Sequence, residues 1–430
     1  MDATTRNGTT AITERARNIP VAYDADVVVV GAGPGGFAAA LQAARMGART
    51  LVVERFDMPG GVHTSGLQGH AGQGVGGIHT ELMERFAREG YIYTVTQDRL
   101  PNWAGNPLSH YERRHAPDAP FTRMSFNPEG AGSVMANMLQ EAGVTALYGT
   151  SFVEAIVKEG IGDNRIEAIV VENASGRQAI TGRIFIEGSG TAQLARHQRD
   201  AKDPVLARLI AEATAAGDIP PGLYRPRMEG TNVYGDLYIG HPTLDMSPMQ
   251  ADGTFIFWQN VPYEWALHMD ESADDDARAK RALRFFIDAE VKFLKKYVPG
   301  FDQAFLTNVG RFVGIRDGRH PVGEYVYSIE DARQERRFRD AISKPMTKPF
   351  YWDSHAKYSY EVPFRAFLPK KIDNLILTGA SMSFTYDTIF MVMRNFNWCT
   401  QTGEIAGFAA ARCIDKKITA KELKWTEPYF

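Results

Sequence analysis

Val27-Val28-Val29-Val30-Gly31-Ala32-Gly33-Pro34-Gly35-Gly36 carries the strongest structural signal in this chain. Four β-branched residues make a buried strand, and the glycine run turns it into an alanine-rich helix, Phe37-Ala38-Ala39-Ala40-Leu41. This is the pattern of a turn that holds a dinucleotide. Gly31 permits the tight turn, Gly33 lets a pyrophosphate approach the main chain, and Gly36 lets the helix pack on the strand. The helix, expected from about Pro34 to Met46, presents unpaired N–H groups and its positive dipole end to the phosphates, so Pro34 and Gly35 join the cofactor positions. A second apolar run, Leu51-Val52-Val53, ends at Glu54, 21 residues beyond Gly33. That is close to the spacing at which a strand-end carboxylate accepts the ribose hydroxyls of an adenosine, and a 2′-phosphate would be repelled there.

The rest of the chain must say which dinucleotide. Its 430 residues suffice for two domains, and 44% hydrophobic with 23% charged residues describes an ordinary soluble globule. With a formal net charge of −3 and no long basic cluster, nucleic acid is not an expected partner. The first 20 residues mix Arg6, Glu14, Arg15 and Arg17 with Thr and Asn and lack the apolar centre of a secretory signal, so residues 1–23 are expected to form a disordered lead-in. No stretch approaches a membrane span, and no membrane partner is expected. Cys399 and Cys413 are 14 residues apart in one expected helix and form neither a CxxC pair nor a disulfide framework, which fits a reducing, cytoplasmic setting. No metal site is expected.

A nucleotide-binding domain is expected over 24–200 and 301–416, a substrate or cap domain over 91–125 and 201–300, and a tail over 417–430. Within them, a helix from Gly77 to Gly90 precedes a Pro- and aromatic-rich stretch, Leu100 to Phe126, that reads as a long loop over a site. A helix from Glu129 to Ala142 leads to strands at Ala146–Tyr148, Val153–Lys158, Ile166–Glu172 and Ile180–Glu187. Asn173-Ala174-Ser175-Gly176 joins two of them, so 146–187 is expected as an antiparallel excursion that rejoins the main sheet at Arg183–Ile186. Gly188-Ser189-Gly190 then opens a second glycine turn. An acidic run from Asp270 to Asp276 starts a helix to Tyr297 with an apolar stripe at Leu283, Phe286 and Ala289 to Phe293. Glu335-Arg336-Arg337-Phe338-Arg339-Asp340 reads as a solvated helix face.

Near the C-terminus, Asp373-Asn374-Leu375-Ile376-Leu377-Thr378-Gly379-Ala380-Ser381 makes another buried strand ending in glycine. Arg394-Asn395-Phe396-Asn397 follows, then a helix from Trp398 to Ile414. A nicotinamide dehydrogenase has no need to bring its last strand and helix back to the first nucleotide turn, whereas a flavin protein does.

With these stretches, and with Gly314-Ile315-Arg316-Asp317-Gly318-Arg319-His320-Pro321-Val322-Gly323-Glu324-Tyr325 and Val362-Pro363-Phe364-Arg365, the chain resembles the glutathione-reductase-fold flavoproteins. Within them it is similar to the single-chain FAD-dependent oxidoreductases. The likeness covers Asp24 to Phe86, Phe126 to Ala195 and Asn308 to Lys416, and residues 201–300 have no part in it. It implies an α/β fold, with a discontinuous Rossmann-like FAD-binding domain and an α+β substrate domain. It also implies FAD, with Gly31, Gly33 and Gly36 at the pyrophosphate, Glu54 and its neighbour Arg55 at the adenosine ribose, and the backbone of Phe152 at adenine. Gly61, Val62, His63 and Thr64 lie in the loop that passes the flavin, and Gly188 and Ser189 in the second turn. Gly379 and Ala380 would sit beside the ribityl and pyrophosphate, and Asn395, Phe396 and Asn397 beside the pyrimidine ring. A helix starting near Asn395 would aim N–H groups where negative charge collects on reduction, and Arg394 either adds charge there or caps a neighbouring strand. Cys399, Thr402, Ala406, Ala409 and Cys413 form a small-residue stripe read as close helix-to-sheet packing.

Departures from the resemblance narrow the reaction. Flavin hydroxylases and halogenases of this fold carry aspartate directly after the glycine of the last strand, where Ala380-Ser381 stand here, and the halogenase tryptophan motif is absent. A single full GxGxxG leaves no dedicated NAD(P)H domain, and without CxxC the disulfide reductases are excluded. The expected activity is oxidation of a small polar molecule at CH–OH or CH–NH, with hydride passing to flavin N5 and oxygen or another acceptor reoxidising the cofactor. The alternatives are a flavin monooxygenase and a flavin-binding protein without turnover. Histidines suit proton removal near neutral pH: His63, His70, His79 and His320 are candidates. His63-Thr64 also resembles the His-Ser/Thr pair of the succinate dehydrogenase and fumarate reductase group, which leaves covalent attachment, a non-covalent role and a satisfied loop histidine open. Arg316 and Arg319 either clamp a carboxylate or pair with Glu324 or Asp317. Tyr325, Tyr327, Tyr386, Trp258 and Phe257 line a pocket or fill core. A homo-oligomer is possible.

Overall fold

The computed structural model describes residues 16–72, 76–93, 123–158, 164–190, 212–218, 273–297, 301–311, 321–343, 346–349, 357–385, 388 and 395–429. Strand β1 (Val21–Val30) shows how one apolar run builds two cores. Val27 and Val29 point into a cluster with the helices, while Ala25 and Val28 point into a second cluster on the other face. β2 (Thr50–Val53) divides the same way, Val52 to one side and Leu51 and Val53 to the other. Each such valine contributes roughly 1.5 kcal/mol or more by burial, so the strand is fixed from both faces.

The remaining strands are β3 (His70–Gly72), β4 (Ile92–Tyr93), β5 (Arg123–Phe126), β6 (Thr145–Leu147), β7 (Ser151–Lys158), β8 (Arg165–Asn173), β9 (Gly176–Glu187), β10 (Met346–Pro349), β11 (Lys357–Tyr360) and β12 (Leu375–Leu377). The helices are α1 (Pro34–Arg45), α2 (Gly77–Arg88), α3 (Pro128–Glu141), α4 (Ala273–Tyr297), α5 (Ile329–Arg333) and α6 (Phe396–Lys416). Five strands run parallel in the spatial order β6-β2-β1-β9-β12. The chain winds outward from β1 on one side and resumes at β9 on the other, so the direction switches at the C-terminal ends of β1 and β9. Open α/β sheets bind ligands at such a switch.

β9 forks. Its first half pairs with β8, which pairs antiparallel with β7, and its last residues pair with β12. Asn374, just before β12, fills the fork: its side chain accepts from Ile166 N and donates to the carbonyls of Ile166 and Arg183. β6 pairs parallel with β2, so it belongs to the main sheet, and the antiparallel excursion expected from 146 begins only at β7. The helix α3 that leads into β6 is the return of a βαβ crossover, which delivers a parallel strand.

Three other expectations need correction. Val21 and Tyr23, placed in the lead-in, pair with Ala179 and Ile180 as the start of β1. The expected long loop ends in a strand, because β5 lies between β3 and β4 in a small antiparallel sheet. The charged run 335–340 is not helical: α5 ends at Arg333, and Glu335 takes a left-handed conformation with φ 48°. That lets Arg336 return to the buried Asp331 at 2.7 Å. It also lets Phe338 pack on Tyr325 and Tyr327.

α6 is buried along most of its length and crosses α1 very closely. A methyl group on Gly403 would fall on the Gly35 carbonyl, and one on Gly407 on that of Ala39. The stripe expected to meet the sheet does so at its N-terminal end, where Cys399 and Thr402 abut Gly379 and Thr378. The tightest approach uses the neighbouring glycines instead. Beyond α6 the chain returns across the core: Trp425 stacks on Phe364 at 4.7 Å, and Tyr429 donates to Glu404, whose other oxygen caps Ile78 N at the start of α2. Among the described residues no helix is long and apolar enough to cross a membrane.

Candidate functional site

Where β1 ends, Gly31 turns with φ 88°, and an added Cβ would sit 2.6 Å from Ser189 Cα and 2.8 Å from Gly188 O. The first glycine turn is therefore pressed against the second. At Gly36 an added Cβ would fall on the Gly31 carbonyl. Gly33, by contrast, has only Gly188 O at 3.7 Å. It is the N-cap of α1, makes no side-chain cap, and has no acidic residue in the turn after it. The result is a helix N-terminus whose N–H groups are not capped by a side chain at the open end of the sheet.

Glu54 follows β2 and is buried. Its Oε2 accepts from Ala32 N at 2.7 Å and its Oε1 from Phe56 N at 3.0 Å. Burial pushes its carboxyl above the ordinary value, against the two N–H bonds, which lower it. The carboxylate thus reaches back into the glycine turn. Arg55 is exposed, with its guanidinium 4.6 Å over the Phe56 ring. Tyr148, half-buried nearby, has its phenol pushed up to about 12 by burial and by the charge of Glu54. Phe152, 46% exposed at the start of β7, lies two residues beyond Thr150, whose N–H donates to the Glu54 carbonyl.

The loop after β2 folds over the turn. Gly60 N donates to Ala32 O at 2.7 Å, and a Cβ on Gly61 would lie 3.2 Å from Gly33 Cα. Gly61, Val62 and His63 form one 3₁₀ turn, and Thr64 donates to Pro59 O at 2.6 Å. His63 is 5% exposed. Its Nδ1 lies 3.0 Å from Gln68 O, and since a carbonyl only accepts, Nδ1 carries the hydrogen. The His63 ring meets Phe396 edge-on at 4.8 Å, and His79, on the first turn of α2, meets the Phe396 ring at 5.8 Å.

From the C-terminal side, β12 ends in a 3₁₀ turn, Gly379–Ser381, with Gly379 at φ 62°. α6 starts beside it with Asn395 as N-cap, no side-chain cap bond and no acid in its first turn. Trp398 Nε1 and Gln401 Nε2, early in α6, are buried donors with no hydrogen-bond partner among the described residues.

Hence Gly31, Gly33, Pro34, Gly35, Gly36, Glu54, Gly61, Val62, His63, Thr64, Gly188, Ser189, Gly379, Ala380, Asn395, Phe396 and Asn397 converge on one end of the sheet. Arg316, Arg319, His320, Arg394, Tyr386, Phe257 and Trp258 lie outside the described residues, as does the side chain of His70. Tyr327 is fully buried core against Phe384, and Tyr325 donates to Asp331. Glu324 pairs with Lys421 at 3.5 Å. Sequence reasoning missed Tyr148, Thr378 and the polar role of Thr402. Only Tyr148 left a signal, an aromatic at the end of the strand beside Glu54. Among the described residues no group of His, Cys, Asp and Glu is placed to hold a metal ion.

A family model described as FAD dependent oxidoreductase matches residues 26–199 and 207–427. Among curated proteins, the mitochondrial dihydrolipoyl dehydrogenase of Caenorhabditis elegans is 50% identical over 46 residues, which is 11% of this chain and 9% of that protein. Among solved structures, a geranylgeranyl bacteriochlorophyll reductase-like protein from Thermoplasma acidophilum matches with TM-score 0.44 and 13% identity over 92% of this chain and 80% of its own. OxyS anhydrotetracycline hydroxylase from Streptomyces rimosus matches with TM-score 0.39 and 14% identity over 91% and 63%. L-amino acid deaminase from Proteus vulgaris matches with TM-score 0.25 and 21% identity over 42% and 50%. None of these scores is high enough to bear on the reaction.

Proposed function

The chain belongs to the FAD-dependent oxidoreductase family, and from that premise we propose that it oxidises a small polar organic molecule at a carbon bearing oxygen or nitrogen. The observation that carries this reading is the meeting of both chain ends at one place: the loop at Gly61 lies on Gly33, Thr378 lies against Gly35, and Phe396 lies against His63. The residues fit FAD. The α1 N-terminus, without a side-chain cap, suits a pyrophosphate, and Glu54 suits a ribose. The start of α6, with the buried donors of Trp398 and Gln401, suits an acceptor-rich ring edge. The parallel order β6-β2-β1-β9-β12, with an antiparallel excursion inserted before β9, supports placing the chain among the glutathione-reductase-like members.

When bound, FAD supplies a two-electron acceptor. The chain's own groups hold it and handle the proton. We assign proton acceptance to His63, whose ring is oriented by Nδ1 donating to Gln68 O, with His320 as the alternative. Arg319 and Arg394 are assigned to anionic groups of substrate or cofactor. Because the His63 ring is buried and packs edge-on against Phe396, we expect the flavin to be held without a covalent bond and to leave with the supernatant on acid precipitation.

The deciding experiment is anaerobic bleaching of the purified flavoprotein by a panel of sugars, hydroxy acids, amines and amino acids, followed by readmission of air. Bleaching by one class without NAD(P)H supports the proposal. Oxygen consumption only in the presence of NAD(P)H would favour a monooxygenase, and a flavin that no small molecule reduces would favour a protein without turnover.

A further inference from the structure

Thr402 lies in the interior of α6, is completely buried, and carries more polar contacts than a helical threonine needs. Its Oγ1 is 2.9 Å from Trp398 O and 3.1 Å from Cys399 O, the usual bond back to the preceding turn. The same oxygen accepts from Gly379 N at 3.1 Å and from the Thr378 hydroxyl at 3.3 Å. A hydroxyl has one proton and two lone pairs, so the proton serves the helix and the lone pairs hold the strand end.

The end of β12, the turn after it and α6 therefore meet at one oxygen. Thr378 continues β12, its N–H donating to Glu187 O at 3.1 Å, and its side chain lies 3.3 Å from where a Cβ on Gly35 would be. Gly379 starts the left-handed turn, and Cys399 Sγ lies 3.3 Å from its own hypothetical Cβ. α1, the turn after β12 and the start of α6 are thus spaced by a junction in which Thr402 supplies the polar part.

We propose that Thr402 is a positioning residue for FAD: its hydroxyl sets the spacing between the Gly379 turn and the start of α6, and so tunes cofactor affinity and surroundings without touching the cofactor. This rests on the placement of FAD proposed above. Thr402→Val keeps the shape and removes the hydroxyl, leaving Gly379 N and the Thr378 hydroxyl without their acceptor. Thr402→Ser keeps the hydroxyl.

The test measures FAD dissociation constants and the visible circular dichroism of the bound flavin for Thr402→Val, Thr402→Ser and Gly379→Ala, with thermal melting of each apoprotein alongside. Thr402→Val is expected to weaken FAD binding about tenfold and to alter the flavin dichroism. Thr402→Ser is expected to stay within about twofold of the parent and to keep its spectrum, since the acceptor survives. If Thr402→Val lowers only the apoprotein melting temperature, leaving affinity and dichroism unchanged while Gly379→Ala weakens binding, the positioning role is overturned and the FAD placement stands. If Gly379→Ala also binds FAD normally, the placement itself fails and takes the inference with it.

Discussion

Of the glycine turns at the open end of the sheet, the one after β1 and the one after β12 are built on opposite principles. The turn after β1 is closed by backbone against backbone: Gly31 against Gly188 and Ser189, and Gly36 against the Gly31 carbonyl. The turn after β12 is closed by side chains, Thr402 and Cys399 from α6 holding Gly379. The first turn tolerates no added atom at Gly36, because two main chains cannot both move away. The second is adjustable, because hydroxyls and a thiol can shift by tenths of an ångström. A site made of one rigid and one adjustable half can fix the nucleotide end of a cofactor and still vary the surroundings of its reactive end.

The contrast breaks most sharply at Gly36. Gly36→Ala places a methyl on the Gly31 carbonyl and is expected to cost about 3 kcal/mol or more of stability, with loss of bound flavin. Chemical denaturation and flavin content check it, and a variant as stable as the parent would mean the first turn is not rigid.

Glu54→Gln comes next. Its replacement amide must point an NH₂ at either Ala32 N or Phe56 N, so FAD affinity should fall roughly tenfold to a hundredfold, read by equilibrium titration. The variant also tests pH dependence. With the folded value raised above the ordinary 4.5, the contribution of Glu54 to stability is present below that value and is lost as pH rises through the raised one. The Gln variant lacks that loss, so melting curves of the two apoproteins should shift in favour of Gln as the pH rises.

Gly379→Ala sharpens the other side. Forcing alanine to φ 62° costs about 1–2 kcal/mol, and the added Cβ at 3.3 Å from Cys399 Sγ asks only for a small shift of the thiol. The protein should fold and bind FAD more weakly. Gly35→Ala should do least: contact with the Thr378 methyl at 3.3 Å opposes a gain in helix propensity of about 1 kcal/mol, leaving stability within about 0.5 kcal/mol of the parent by denaturant titration. Adjacent glycines with effects that far apart would separate turn geometry from mere glycine content.

The same contrast explains what the sequence made legible. The first turn is local: its strand, glycines and helix lie within some 20 residues, and spacing alone leads to Glu54. The fork at Asn374 and the junction at Thr402 depend on partners from other elements, and an asparagine or threonine has no spacing that reveals such a role. The charged run at 335–340 misled because a helical charge pattern carries no mark of the left-handed residue that ends α5. β5 was hidden because four residues beside a proline-rich stretch give too short an alternation to register. The placement of His63 against Phe396 joins residues more than 300 apart, which no local pattern encodes.

The register of β12 on β9 also governs how the chain is made. Leu377 pairs with Glu187, and Leu375 with Phe185, across about 190 residues. At a synthesis rate of roughly 5–20 residues per second, the end of β9 waits on the order of 10–40 seconds with one side unpaired. During that interval a buried apolar strand presents open N–H and C=O groups to anything able to add a strand. A nascent chain of this design invites chaperone protection late in its synthesis, and slowing translation between β9 and β12 should raise aggregation more than the same pause placed earlier.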